Sequence, residues 1–248
     1  MQLEMNLPKM KGLFITGTDT GVGKTVVAGG IARVLHKQGY NVGVFKPVAS
    51  GCTNQYEGLV NEDANFLRAC SHCDFSLSLI NPVGYVTPAA PAVCEEHENR
   101  TVDFGSIAQA YRKICDRSDI MIVEGIGGVR VPVSAGVDVL DLAGQFDLPV
   151  VIVTRPDLGT INHTLLTIDA VRNAGLILAG VVISGYDAAN SGLAEETLPE
   201  ILEEWGQVPV LSIVPYDEET NIENSRLGEL AAEALGDFDW AELAGVNY

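Results

Sequence analysis

The stretch Gly12-Leu13-Phe14-Ile15-Thr16-Gly17-Thr18-Asp19-Thr20-Gly21-Val22-Gly23-Lys24-Thr25 passes from an apolar run into a glycine-rich loop, and a helix pattern follows over Val26 to Lys37. Gly21 and Gly23 let the backbone curl so that successive N–H groups point inward, a geometry that cradles phosphate oxygens. The N-terminus of the following helix adds its partial positive charge at the same place. Lys24 is placed to reach the outer phosphates of a nucleoside triphosphate, and the Thr25 hydroxyl to ligate Mg²⁺. Five residues separate Gly17 from Gly23, one more than in the commonest loop of this kind. A glycine-rich turn without function is a poor alternative, because strand, loop, Lys-Thr pair and helix fall in the required order. The sequence predicts a nucleotide-phosphate site.

Outward from that loop, nearly continuous Val- and Ile-rich runs recur at 12–17, 41–48, 120–125, 149–154, 178–185 and 209–215. Such runs suit parallel strands buried on both faces. Helix patterns lie between them at 25–38, 63–69, 104–116, 137–145, 162–173 and 192–205, with Gly39, Gly144, Gly175 and Gly206 expected at or near helix ends. The alternation predicts an α/β fold: a doubly wound, mainly parallel sheet with helices on both faces, of P-loop NTPase type. One domain over residues 1–248 is the simplest organisation. The stretch from Ser50 to Thr101 reads as the least regular, interrupted by Pro82, Pro88 and Pro91, and a long loop in a compact domain is more often functional than idle. The tail from Gly228 to Tyr248 reads as weakly patterned helix that packs on the edge or frays.

Composition narrows the partners. The chain has 248 residues, 47% of them hydrophobic, and a formal net charge of −18. That charge argues against nucleic acid, which needs clustered Lys and Arg. An acidic chain that binds an anion must also gather its few cations at the site and borrow Mg²⁺. The segment from Met1 to Lys11 has no apolar core, so it does not read as a signal peptide. The longest apolar runs, such as Leu148 to Val153, fall far short of a membrane span. A soluble, cytoplasmic protein is expected. The five cysteines form no disulfide framework, which suits a reducing compartment. Cys70-Ser71-His72-Cys73 has metal-type spacing but no second pair to complete a zinc site, so incidental thiols are the default.

Ligands of a parallel sheet gather at the carboxyl ends of its strands. Lys46 stands there, at the end of Val44-Phe45-Lys46-Pro47. Glu124 closes Ile120-Met121-Ile122-Val123 and enters Gly125-Ile126-Gly127-Gly128, the arrangement expected of a Mg²⁺ ligand. A carboxylate delivered by four apolar residues demands a metal or a lysine partner. Asp63 reads either as a helix N-cap or as a further metal-facing carboxylate. The turn Asp157 to Asn162 offers N–H groups for a carboxylate, with Thr160 or Asn162 as cap. His163 reads as helix packing or capping rather than catalysis.

Four segments together resemble the dethiobiotin synthetase family: Gly17 to Thr25 with its lengthened loop, Phe45-Lys46-Pro47-Val48-Ala49-Ser50-Gly51, Val123-Glu124-Gly125-Ile126-Gly127-Gly128, and Leu158-Gly159-Thr160-Ile161-Asn162-His163. The match runs in order from about residue 12 to Pro215. The resemblance implies an ATP-dependent ring closure in biotin synthesis. In it, 7,8-diaminopelargonate takes up CO₂ (supplied as bicarbonate) as a carbamate. The carbamate attacks the γ-phosphate, and the second amine closes a cyclic urea, leaving ADP and phosphate. It implies Mg²⁺ held by Thr25, Asp63 and Glu124. Lys24 and Lys46 act on the carbamate and the transferring phosphoryl group, with hydrogen bonds from Thr20 and Ser50. Nucleotide contacts are implied for Gly21, Val22, Gly23, Lys24, Thr25, Glu124, Gly127, Ser184 and Pro215. The resemblance also implies a homodimer in which Gly159, Thr160 and Asn162 of one subunit receive the substrate carboxylate of the other.

Ser184 departs from the family, which commonly has an Asn there to read the adenine edge; a single hydroxyl replaces a paired donor and acceptor. Other readings fare less well. A non-catalytic nucleotide-sensing relative has no need of Lys24, Lys46, Asp63 and Glu124 together. A carboxylate-activating amidoligase usually carries a glutaminase domain that this sequence lacks. A partition ATPase needs a further lysine early in the loop, where residues 18–21 are Thr-Asp-Thr-Gly. The segment Thr87-Pro88-Ala89-Ala90-Pro91 reads equally as a wall of the diamine pocket and as an ordinary rigid loop.

Overall fold

A parallel sheet covered on both faces satisfies the backbone hydrogen bonds and the apolar side chains of buried Val and Ile runs together. The computed structural model, which describes residues 3–55 and 58–246, has that arrangement. The chain runs β1 (Gly12–Gly17), α1 (Lys24–Lys37), β2 (Val42–Phe45), then β3 (Val48–Ala49), β4 (Thr53–Gln55) and β5 (Gly58–Val60). Helices α2 (Glu62–Ser71) and α3 (Leu77–Ile80), strand β6 (Val83–Gly84), and helices α4 (Pro91–Glu98) and α5 (Phe104–Cys115) follow. Then come β7 (Ile120–Gly128), β8 (Pro132–Ser134), β9 (Val137–Asp138), α6 (Val139–Phe146), β10 (Val150–Thr154) and α7 (Thr160–Asn173). The last elements are β11 (Leu178–Tyr186), α8 (Leu193–Gly206), β12 (Val210–Pro215), α9 (Glu229–Gly236) and α10 (Trp240–Leu243). Six strands form a wholly parallel sheet in the order β12-β11-β10-β1-β7-β2. The strand order reverses beside β1, so the loop after β1 opens at the switch point where such sheets bind ligands.

Both faces of the sheet are covered. One carries an aromatic group, Phe14, Phe45, Tyr111 and Phe146, with ring centroids 5.0–6.0 Å apart. Against the other lies α1, whose Val27, Ile31 and Leu35 are fully buried at helical spacing. Gly29 and Gly30 let neighbours approach α1 closely. A Cβ on Gly29 would lie 2.4 Å from Phe66 of α2, and one on Gly30 would lie 2.2 Å from Leu235 of α9.

Several sequence expectations need correction. The run 41–48 is not one strand: β2 stops at Phe45, since Pro47 has no N–H to continue the ladder. Gly144 and Gly206 do lie at or near the ends of α6 and α8, but the left-handed position after each helix is taken by Asp147 and Gln207 instead of glycine. The stretch 50–101 holds three helices, α2, α3 and α4, the β4–β5 pair, and β6, which pairs with β3. Pro91 starts α4 instead of breaking it, as proline at a first helical position can. The tail packs: Trp240 is fully buried and its Nε1 donates to the Leu235 carbonyl at 2.6 Å. Gly12 N–H donates to Ala244 O, tying that tail to β1; residues 247–248 lie outside the described part.

Cys70 sits in the α1–α2 contact, where a Cβ on Gly29 would be 3.1 Å from its sulfur, and burial pushes its thiol up to about 12. Burial likewise pushes Cys115 up to about 11. Cys73 is only half-buried. Iodoacetamide at pH 8 is therefore expected to label Cys73 of the native protein and to spare Cys70 and Cys115 until it unfolds. Equal labelling rates at Cys70 and Cys73, followed by peptide mass spectrometry, would contradict that burial.

Candidate functional site

The phosphate loop begins where β1 ends and closes with Gly23 in the left-handed region, φ 95°. No side chain caps α1 there, so its first N–H groups keep no local partner and face the loop. Lys24 folds back to donate to the Asp19 carbonyl at 2.7 Å. Burial and the nearby Lys46 charge push its ammonium down to about 8. Thr20 is exposed, its N–H held by the Asp19 carboxylate at 2.7 Å. A Cβ on Gly127 would lie 3.4 Å from the Thr20 hydroxyl oxygen, so the turn after Glu124 runs beside the loop.

Behind the loop lies a buried ionic group. Lys46 is 3% exposed and its Nζ lies 2.6 Å from Glu124 Oε1, 2.9 Å from Asp63 Oδ2 and 3.0 Å from the Gly125 carbonyl. Thr25 Oγ1 donates to the same Glu124 Oε1 at 2.9 Å. Glu124 is 0% exposed, and its Oε2 is buried with no hydrogen-bond partner among the described residues. Burial pushes the Glu124 carboxyl up, with Lys46 pulling against it. Lys46 itself stays charged, since Asp63 and Glu124 together outweigh the cost of burying it. Burial would raise Asp63 too, but the Lys46 ammonium holds it below the ordinary carboxylate range. The demand for a partner to Glu124 is thus met by a lysine, while its second carboxylate oxygen stays unpaired.

Asp63 is not the N-cap of α2. Asn61 holds that position, its side chain accepting from Ala64 N–H at 3.2 Å, which frees Asp63 in the first turn to face Lys46. Residue Asn81 gave no signal in the sequence. Its buried amide donates to the Lys46 carbonyl at 2.8 Å and fixes the backbone that carries the lysine. It lies 35 residues away with no motif around it, so only the fold reveals it.

Two cavities meet at the loop. The first, about 740 Å³, is lined by Thr20, Lys24, Thr25, Lys46, Ser50, Asp63, Glu124 and Gly127, with Pro88, Ala89, Ala90, Ile126 and Val131 as its apolar wall. The proline-rich segment is therefore a cavity wall. The second, about 650 Å³, is lined by Val22, Arg155, Ser184, Gly185, Val214, Pro215 and the loop 216–223. Gly21, Gly23, Val26, Asp63 and Ile222 border both. The two are one trough divided by the phosphate loop, polar and cationic on one side and open-walled on the other. Beyond Pro215 the 216–223 loop carries no sequence signal, because its residues become neighbours of the phosphate loop only through the β12–α9 connection.

Gly159, Thr160 and Asn162 line neither cavity. Gly159, φ 95°, precedes α7, and no side chain caps that helix, contrary to the cap expected from Thr160 or Asn162. Thr160 turns inward, sharing a hydrogen bond with Thr154 at 2.6 Å, and its N–H donates to the Asp157 carbonyl. Asn162 and His163 are exposed, with Leu158 (88% exposed) and Leu166 (60%) beside them. Among the described residues no group of three or more His, Cys, Asp and Glu has metal-binding geometry, and no helix is long and apolar enough to cross a membrane.

Comparisons with known proteins agree with this architecture. A protein-family model described as an AAA domain matches residues 11–224. The solved MinC:MinD cell division complex of Aquifex aeolicus is similar with a TM-score of 0.59 at 15% identity, covering 96% of this chain and 97% of that one. A putative plasmid partition protein of Borrelia burgdorferi B31 bound to AMPPNP gives 0.57 at 14% identity, covering 95% and 98%. At such identities the likeness concerns the fold alone. Sequence relatives are nearer. The ATP-dependent dethiobiotin synthetase of Thermodesulfovibrio yellowstonii is 40% identical over 227 residues, 89% of this chain and 94% of that protein. That of Bacillus licheniformis is 41% identical over 212 residues (86% and 88%), and that of Methanococcus vannielii 38% over 203 (82% and 92%). With this identity along nearly its whole length, the chain belongs to the family of ATP-dependent dethiobiotin synthetases.

Proposed function

We propose that this chain is an ATP-dependent dethiobiotin synthetase, carried on a single domain and working in the cytoplasm. The supporting observation is the Lys46 ammonium set between Asp63 and Glu124 where the phosphate loop meets an apolar-walled cavity. ATP would lie across the loop, its phosphates on the N–H groups of Gly21 to Thr25 and its base toward Ser184 and Pro215. The diamine would enter the cavity walled by Pro88, Ala89 and Ala90 and take up CO₂ on one amine. Lys24 and Lys46 would hold the carbamate oxygens against the γ-phosphate, with Thr20 and Ser50 fixing the line of attack. Phosphoryl transfer needs mainly this positioning and charge neutralisation.

Thr25, Asp63 and the open Glu124 Oε2 form a hard oxygen set that suits Mg²⁺, and these residues would hold it. When bound, Mg²⁺ would shield the charge of the β- and γ-phosphates. Gly159, Thr160 and Asn162 at the start of α7 would serve the site of a second copy. Their absence from the lining of both cavities of their own subunit and the exposed Leu158 and Leu166 support a homodimer.

The mechanism has an isotopic signature. With ¹⁸O-labelled bicarbonate, one labelled oxygen is expected in the released phosphate and one in the ureido carbonyl. Unlabelled phosphate would contradict attack by the carbamate. Ser184 gives a second expectation. One hydroxyl discriminates poorly among bases, so kcat/KM for ATP, GTP and CTP should differ by about tenfold or less, the weight of one or two hydrogen bonds. An ATP preference as sharp as that of an Asn-bearing relative, in direct competition, would refute it.

A further inference from the structure

The second cavity contains a cation that the sequence motifs do not assign. Arg155 follows β10, the strand next to β1. Gly17 and Val153 are in register, and Thr18 N–H donates to the Val153 carbonyl at 3.0 Å. Arg155, two residues beyond, therefore lies level with the phosphate loop. Pro156 restricts its backbone to extended conformations, which fixes the direction in which the side chain leaves the sheet.

Its surroundings are acidic. The guanidinium lies 3.8 Å from an Asp19 carboxylate oxygen and 3.7 Å from one of Asp157, and among the described residues it forms no hydrogen bond. The side chain is 45% exposed. These are loose pairs, easily exchanged for a better anion. The two cavities differ in how they meet a triphosphate. Lys24 and Lys46 line the first, while among the described residues Arg155 is the only Lys or Arg lining the second, beside Glu62, Asp63, Asp157, Asp217 and Glu223. Without Arg155, the charged side chains on that side of the loop would all be carboxylates. Arginine cannot lose its charge, and its planar fork matches phosphate oxygens in pairs.

We propose that Arg155 is a nucleotide-binding residue that leaves Asp19 and Asp157 to grip the phosphates of the bound nucleoside triphosphate from the side opposite Lys24. Asp19 then acts as a competing anion, holding the guanidinium when the site is empty and lowering affinity when it is filled. This rests only on the nucleotide part of the function proposed above, not on the diamine chemistry.

Titration calorimetry of the full chain with magnesium-ATP and magnesium-GTP tests it. Arg155→Ala is expected to weaken both nucleotides by the same factor, about 10- to 100-fold, as loss of a paired charge-assisted contact does. Arg155→Lys should recover part of that. Asp19→Asn removes the same ion pair but keeps the oxygen that accepts from Thr20 N–H, and should leave binding unchanged or tighten it about two- to fivefold. An unchanged affinity in Arg155→Ala overturns the proposal. So does a loss confined to ATP, which would place the guanidinium on the base. Equal weakening by Asp19→Asn also overturns it, since the pair would then merely shape the loop. Nucleotide binding that follows the expected pattern without diamine-dependent turnover would sink the synthetase reading and leave this one standing.

Discussion

Lys46→Ala is expected to lower kcat about a thousandfold or more and to destabilise the protein by about 3–5 kcal/mol. The two effects have different origins. Catalytically, the ammonium is the charge placed where the carbamate and the transferring phosphoryl group would meet. Structurally, it neutralises Glu124, which is fully buried, and Asp63, 2.6 and 2.9 Å away. Removing it leaves a buried carboxylate with no cation. A second change separates the two effects. Lys46→Ala/Glu124→Gln removes the orphaned charge and should recover much of the stability in urea unfolding, while turnover stays absent. Mg²⁺ should raise the melting temperature of Lys46→Ala more than that of the parent, because a metal on Thr25, Asp63 and Glu124 would replace the missing charge. A Lys46→Ala protein with parental stability would contradict the buried ion group; one with parental kcat would contradict the catalytic assignment.

The second large effect is expected at Gly23. Gly23→Ala should weaken nucleotide binding about 100-fold or more while the protein stays folded. At φ 95° an alanine is strained by about 1–2 kcal/mol, and its Cβ would come 2.3 Å from Ser184 Oγ. Both faults fall on the loop whose N–H groups must converge on phosphate, so the loop shifts and the cradle opens. Ser184→Gly in the same chain removes the contact but not the backbone strain, and should recover only part of the loss. Affinity within about threefold of the parent in Gly23→Ala, measured by calorimetry, would show that the loop does not bind phosphate through this geometry.

What the sequence could reveal depended on how far apart the cooperating residues lie. The phosphate loop is legible because strand, glycines, Lys24 and Thr25 are contiguous, and α1 continues from them. Glu124 was legible for a physical reason: four apolar residues ending in a carboxylate imply a buried charge that needs a partner. The sequence leaves that partner open between a metal and a lysine; that it is Lys46, 78 residues away, is shown only by the fold. Asp63 was identified as a carboxylate of interest but with an ambiguous cap role, which Asn61 in fact fills. Pro91 reads as a breaker in the sequence, yet at the first position of α4 its missing N–H costs nothing. Asn81 and Arg155 carry no local signature at all. Each matters through a neighbour supplied by topology, the Lys46 carbonyl for one and the end of β1 for the other. The weakly patterned tail was ambiguous because one fully buried Trp240, and not a repeating apolar stripe, anchors it.

The central claim is best tested by ADP release from the purified protein with magnesium-ATP, bicarbonate and 7,8-diaminopelargonate, each omitted in turn. Release is expected to require all three, with one dethiobiotin formed per ADP. Release that ignores the diamine, or firm nucleotide binding with no diamine-dependent turnover, would contradict it.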